Sequence, residues 1–223
     1  MGCWAHALAR GYRVLAITDH AEGTVSGAPR EAVDVYMQYA QILALQAELG
    51  DKLRLLHGAE LNIGPKGELD YDAEFRACFD FYVASVHDPM DLSREQQTER
   101  ILRAIEDPAV RSIGHLSARM IGARPGIDLD YEAILQGAAR TGTALEINGS
   151  LPRLDLSEAA LRLIGQHDVQ LLFTSDAHHV DELANVDHAM IHAERAWVPR
   201  DRVLNAGDPA RLLTWLEEKR PAS

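Results

Sequence analysis

The sequence predicts an α/β fold, an incomplete parallel β/α barrel, and three observations carry that prediction. Short runs rich in Val, Ile and Leu alternate with longer stretches of helical periodicity. Parallel strands need crossover connections, which the helical stretches supply. The strand-like runs carry His, Asp, Glu or Asn at or just past their ends, the edge where ligand-binding groups gather in parallel folds.

The chain opens on a helical piece, Cys3–Arg10, then Gly11 and a first strand at Tyr12–Thr18. Five more strands are expected at Leu53–Asn62, Asp80–Val86, Val110–Gly114, Thr143–Ile147 and Gln170–Thr174. Helices are expected near 30–50, 93–106, 130–141 and 157–166, with two more near 185–196 and 208–219. Within 93–106, Ile101, Leu102 and Ile105 form an apolar edge while Arg94, Glu95, Glu99 and Arg103 stay in water. Ser157 before Ala159, Ala160, Leu161 and Leu163 reads as an N-cap. Gly64-Pro65-Lys66-Gly67 reads as a tight turn, a local excursion after the second strand. With no linker, repeat or low-complexity segment, residues 1–223 read as one domain. A barrel that begins with a helix reads as one whose first strand is missing or truncated.

Hydrophobic residues at 47% and charged residues at 25% support an ordinary globular core, and aromatics at 6% make that core aliphatic. The formal net charge of −12 repels nucleic-acid phosphates, and no basic patch for duplex DNA is evident. Cys3 and Cys78 lie far apart outside any CxxC, which suits a reducing cytoplasm better than a disulfide scaffold. No apolar run approaches the roughly 18 residues of a membrane span, and the opening residues lack a signal peptide's pattern. The chain reads as soluble and cytoplasmic.

The chemistry collects at the strand ends: Asp19-His20, Glu60, His87, His115, Glu146 with Asn148, and Asp176-Ala177-His178. Imidazole and carboxylate converging on one edge are what zinc, manganese or iron require. A lone His after a strand is usually capped or solvated. Glu60 differs, because a carboxylate inside an apolar run costs several kcal/mol (roughly) to bury without a partner. Asp176 and His178, two apart, are expected to face alike as strand residues do. His179 is read as surface, and His6, His57, His167, His188 and His192 as structural. A GxSxG elbow and a Gly-rich phosphate loop are both absent. Lys52, Lys66 and Lys219 all lie away from strand C-termini, which disfavours Schiff-base chemistry.

Taken in order, Ala16-Ile17-Thr18-Asp19-His20, Gly58-Ala59-Glu60, Ala84-Ser85-Val86-His87, Gly114-His115, Leu145-Glu146-Ile147-Asn148, Arg153-Leu154-Asp155-Leu156 and Thr174-Ser175-Asp176-Ala177-His178 form a specific set. It resembles the polymerase and histidinol phosphatase (PHP) family of metal-dependent phosphoesterases, most of all the PHP domain of bacterial family X DNA polymerases. The resemblance spans about Cys3 to Lys219. It implies a distorted, TIM-like (β/α)7 barrel with one to three divalent ions at its mouth, Zn2+ or Mn2+ and in some members Fe2+. By that likeness Glu60 would bridge two metals, with His87 and His115 completing the second site. Asp176 would help hold the first site, His20 and His178 the third, and Asp19 would support them from behind. Arg153 and Arg119 become candidates for phosphate contact, with Arg124 a rival. Glu60, His178 and Arg153 would carry catalysis.

The resemblance implies hydrolysis of phosphomonoesters of a histidinol-phosphate-like kind, or action on DNA 3′ ends as a 3′-5′ exonuclease or 3′-phosphatase. The family's first motif, a His-x-His on strand one, has no counterpart at or after Cys3, and Gly-His-Leu-Ser-Ala-Arg replaces the usual Gly-His-Pro-Thr-Gly-Arg. A misassigned start is one reading of that departure. Another is a catalytically impaired metal-binding or interaction domain, remaining from a polymerase module, that dimerises over an exposed sheet edge.

Overall fold

In a computed structural model, which describes residues 2–21 and 31–218, six parallel strands form one sheet in sequential order. The strands are β1 (Val14–His20), β2 (Arg54–Asn62), β3 (Phe81–Ser85), β4 (Ser112–Ile113), β5 (Ala144–Asn148) and β6 (Leu171–Thr174). The helices are α1 (Cys3–Ala9), α2 (Ala32–Leu49), α3 (Ala73–Arg76), α4 (Arg94–Glu106), α5 (Tyr131–Thr141), α6 (Glu158–Ile164), α7 (Val186–Arg195) and α8 (Pro209–Glu218). All six expected strands are present, with ends shifted by at most two residues. Residue 30, in the expected second helix, and Lys219, at the end of the last, lie outside the described residues.

Local chemistry sets the helix starts. Ser93 and Gln96 bond reciprocally at the head of α4, while Ser157 accepts from the Ala160 amide at the head of α6. Ile101 and Ile105 of α4 are fully buried and Leu102 half-buried, so the apolar edge faces the sheet. Arg100 also goes inward, where its guanidinium donates to the carbonyls of Asp88 (3.2 Å) and Pro89 (2.8 Å). The main core joins α4, α5, α6 and α7 to the sheet through Ile113, Ile134, Leu145, Ile147 and Leu171.

The sheet curls into a half-barrel with β1 and β6 at its two ends. Among the described residues these two strands do not pair with each other. The outer edge of β6 is partly covered, because the Asn205 carboxamide accepts from Phe173 N at 2.9 Å and donates to Phe173 O at 2.7 Å. Between the two strands lies a cavity of about 700 Å3, floored by Ala16, Leu56, Val83 and Leu172 and topped by His20, Glu60, His115 and Asp176. Polar groups therefore sit at the C-terminal mouth and aliphatic ones below. No helix among the described residues is long and apolar enough to cross a membrane.

Leu145 of β5 is fully buried in the core that joins the sheet to α4, α5, α6 and α7. Leu145→Ala is expected to cost about 2–5 kcal/mol, read from the shift of the urea midpoint with the slope unchanged.

Candidate metal centre

Strand register places the central pair. His20 is the register partner of Glu60 across β1 and β2, so both side chains emerge on the inner face. His20 Nδ1 then lies 3.2 Å from Glu60 Oε2. His87 follows the end of β3, and its Nε2 lies 3.3 Å from Glu60 Oε1. Past β4 the chain runs through Gly114, where a Cβ would crowd Ser85 Oγ and the branched Val83 side chain, and bends at His115, whose φ is 21°. There His115 Nε2 lies 3.0 Å from Glu60 Oε1. One carboxylate thus has His20 on one oxygen and His87 with His115 on the other.

The electrostatics follow from burial. Burial pushes the Glu60 carboxyl up, but contacts with His115 and His87 outweigh it and hold the pKa well below the carboxylate range. Burial acts against protonation of His115 too, yet the Glu60 contact overrides it and raises that imidazole. At His20 burial wins over Glu60 and the pKa falls, so this ring is neutral at pH 7. The nitrogens that His20 (Nδ1) and His87 (Nε2) turn toward Glu60 are buried and lack a well-formed hydrogen bond. Ligand atoms of His20, Glu60 and His87 all lie within 4.8 Å of one another. Unpartnered imidazole nitrogens around a buried carboxylate fit a divalent cation of the zinc, manganese or iron type.

Other expected residues take different places. β6 ends at Thr174, and Asp176 has a φ of 50°, so strand alternation does not govern Asp176 and His178. Asp176 Oδ2 instead accepts from Arg153 Nε at 2.9 Å and from Asn148 Nδ2 at 3.1 Å. His178 is two-thirds exposed, its Nδ1 3.9 Å from Asp176 Oδ1 and its ring 5.8 Å from that of His20. Asp19, next to His20 on β1, accepts from Gln38 Nε2 of α2 at 2.5 Å.

The arginines separate cleanly. Arg119 donates to the carbonyls of Arg153 (2.7 Å) and Leu154, bracing the loop rather than facing the mouth. Arg124 donates twice to Ala118 O, at 3.0 and 2.7 Å. Arg153 alone of the three pairs with another expected site residue, Asp176, and its buried Nη1 has no partner among the described residues. Sequence reasoning gave no task to Glu146. Its Oε1 accepts from Thr174 Oγ1 at 2.6 Å and its Oε2 from the His115 amide, which anchors the turn bearing His115.

No family model matches the chain. It is 30% identical over 224 residues to a probable phosphatase of Shewanella amazonensis, covering 96% of this chain and 84% of that protein. The chain belongs to the PHP family of metal-dependent phosphoesterases. It is also 33% identical over 197 residues to the DNA polymerase/3′-5′ exonuclease PolX of Bacillus subtilis, with 88% of this chain aligned. That match spans only 34% of the polymerase. Among solved structures, histidinol phosphate phosphatase of Lactococcus lactis, complexed with zinc, L-histidinol and phosphate, superposes with a TM-score of 0.59 at 20% identity. The superposition covers 87% of this chain and 86% of that one, and it shows that this PHP protein has the same fold.

A depressed carboxyl pKa contributes stability that is present above the unfolded value, about 4.3, and is lost as pH falls through the folded value. Glu60 is such a group in the metal-free protein. Acid unfolding followed by circular dichroism is expected to show a shallower acid limb for Glu60→Gln than for wild type.

Proposed function

We propose that this chain hydrolyses phosphate monoesters of small molecules, using divalent cations held by Glu60, His20, His87 and His115. The observation that carries the reading is the Glu60 carboxylate, 8% exposed, with three imidazoles at 3.0–3.3 Å. When bound, such ions polarise a phosphoryl oxygen and lower the pKa of water towards about 7.

The chain's own residues supply the rest. Arg153, aimed by Asp176, offers Nη1 to a phosphate oxygen, a charge-assisted contact. Neutral His20 is suited to donate a lone pair rather than a proton. His178, exposed at the rim beside Asp176, is placed to give its proton to the departing alkoxide. The net charge of −12 favours a small anion drawn into a local positive site over a duplex. The Lactococcus structure, with L-histidinol and phosphate bound, supports a small amino-alcohol phosphate as substrate class.

The likeness to PolX favours a second reading, a DNA 3′ end as substrate. Both are tested by incubating the protein with Mn2+ or Zn2+ and p-nitrophenyl phosphate, an alkyl phosphate, or a single-stranded oligonucleotide. Phosphate release from the first two supports the proposal, while activity confined to the oligonucleotide supports the second reading. No release under saturating metal contradicts both. Glu60→Ala is expected to lower kcat by at least about 1000-fold, a loss of several kcal/mol. Arg153→Ala should cost about 1.5–3 kcal/mol in kcat/KM. His178→Ala should slow the alkyl ester by about 100-fold but the aryl ester far less, since a good leaving group needs no acid.

A further inference from the structure

On the side of His87 away from Glu60, a two-residue relay runs to the excursion that follows β2. His87 Nδ1 lies 2.7 Å from Asn62 Oδ1. Asn62 Nδ2 donates to Asp70 Oδ2 at 2.6 Å, and the Asn62 backbone amide donates to the same oxygen at 2.8 Å. We propose that Asn62 and Asp70 are positioning residues that fix the tautomer and orientation of His87, leaving its Nε2 lone pair bare for a cation at Glu60. This rests on the metal reading of the centre.

Donors and acceptors fix the arrangement. Carboxylate Asp70 accepts and cannot donate, so the Asn62 carboxamide must turn its NH2 toward Asp70 and its carbonyl oxygen toward His87. A flipped amide would set oxygen against carboxylate and NH2 against imidazole. Facing a carbonyl oxygen, His87 Nδ1 must carry the proton. In the neutral ring Nε2 then holds a lone pair, and that lone pair points at Glu60 Oε1, 3.3 Å away. Two acceptors confront each other there unless a second proton on the ring or a cation lies between them. Such partners behind a ligating histidine are a recurrent device of metal sites.

The fold explains why these residues meet. Asn62 lies two positions after Glu60 on β2, so both side chains share the inner face. It is the register partner of Ser85, and His87 comes two residues later. Asp70 is brought back by the Gly64–Gly67 turn: Gly64 N donates to Glu68 O at 2.8 Å, and Ile63 bridges Leu69 in antiparallel fashion. The turn therefore returns the chain so that a carboxylate locks the ligand-bearing end of β2.

The test combines two readouts on the intact chain. Long-range 1H–15N spectra of metal-free protein report which nitrogen of His87 bears the proton, and calorimetry reports the Kd for Zn2+ and Mn2+. Wild type is expected to show protonated Nδ1. Asn62→Ala and Asp70→Ala should mix the tautomers and weaken metal binding by roughly 10- to 100-fold, with Asp70→Asn retaining part of both. Glu68→Gln, in the same excursion, controls for loop damage and should bind as wild type, with thermal melts confirming that each variant is folded. A proton on Nε2 in wild type, or wild-type Kd and tautomer in folded Asn62→Ala, overturns the relay. A wild type that binds neither ion overturns the metal reading itself, and the His87 tautomer, read without metal, distinguishes the two failures.

Discussion

A buried carboxylate surrounded by imidazoles is the constraint on which the rest of the structure depends. Removing Glu60 from water is unfavourable unless its charge is matched. His115 and His87 supply that match and neutral His20 flanks the other oxygen, each brought by a different strand and each within about one hydrogen-bond length. That convergence requires a parallel sheet, since only parallel strands put all their C-terminal ends on one edge. Burial of Glu60 makes the site and the fold two aspects of one requirement.

The supporting contacts show how much of the local backbone serves this point. Gly114 leaves no room for a side chain, and Glu146 holds the His115 amide at the bend beyond it. Asp155, fully buried, accepts from the Ser117 amide at 3.0 Å and its hydroxyl at 2.9 Å, which ties the loop after β4 to the loop after β5. Arg119 braces the carbonyls around Arg153, and Arg153 in turn meets Asp176. The loops at the mouth are thus fastened to one another by buried polar contacts, which specify geometry more strongly than apolar packing does.

The strands were legible because aliphatic runs and their polar endings recur with clear helical spacers between them. Glu60 was legible for a physical reason, as a charge inside an apolar run needs an explanation. His87 and His115 were legible from their places directly after strands. Less was legible wherever the chain left regular structure. Asp176 and His178 lie past the end of β6, where alternation has no force, and φ at Asp176 is positive. Arg119, Arg124 and Arg153 are alike as letters, and only three-dimensional contacts show that two of them are bound to carbonyls. Asn62 and Asp70 carried no signal, since their pairing depends on how the excursion folds back.

The central claim is that Glu60 and its imidazoles share a divalent cation. Crystals grown with Zn2+, or soaked in Mn2+, and measured at the metal's absorption edge test it most directly. An anomalous peak within bonding distance of Glu60 and of at least two among His20, His87 and His115 is the predicted result. Full-occupancy peaks elsewhere, with no density between these side chains at saturating metal, would contradict it.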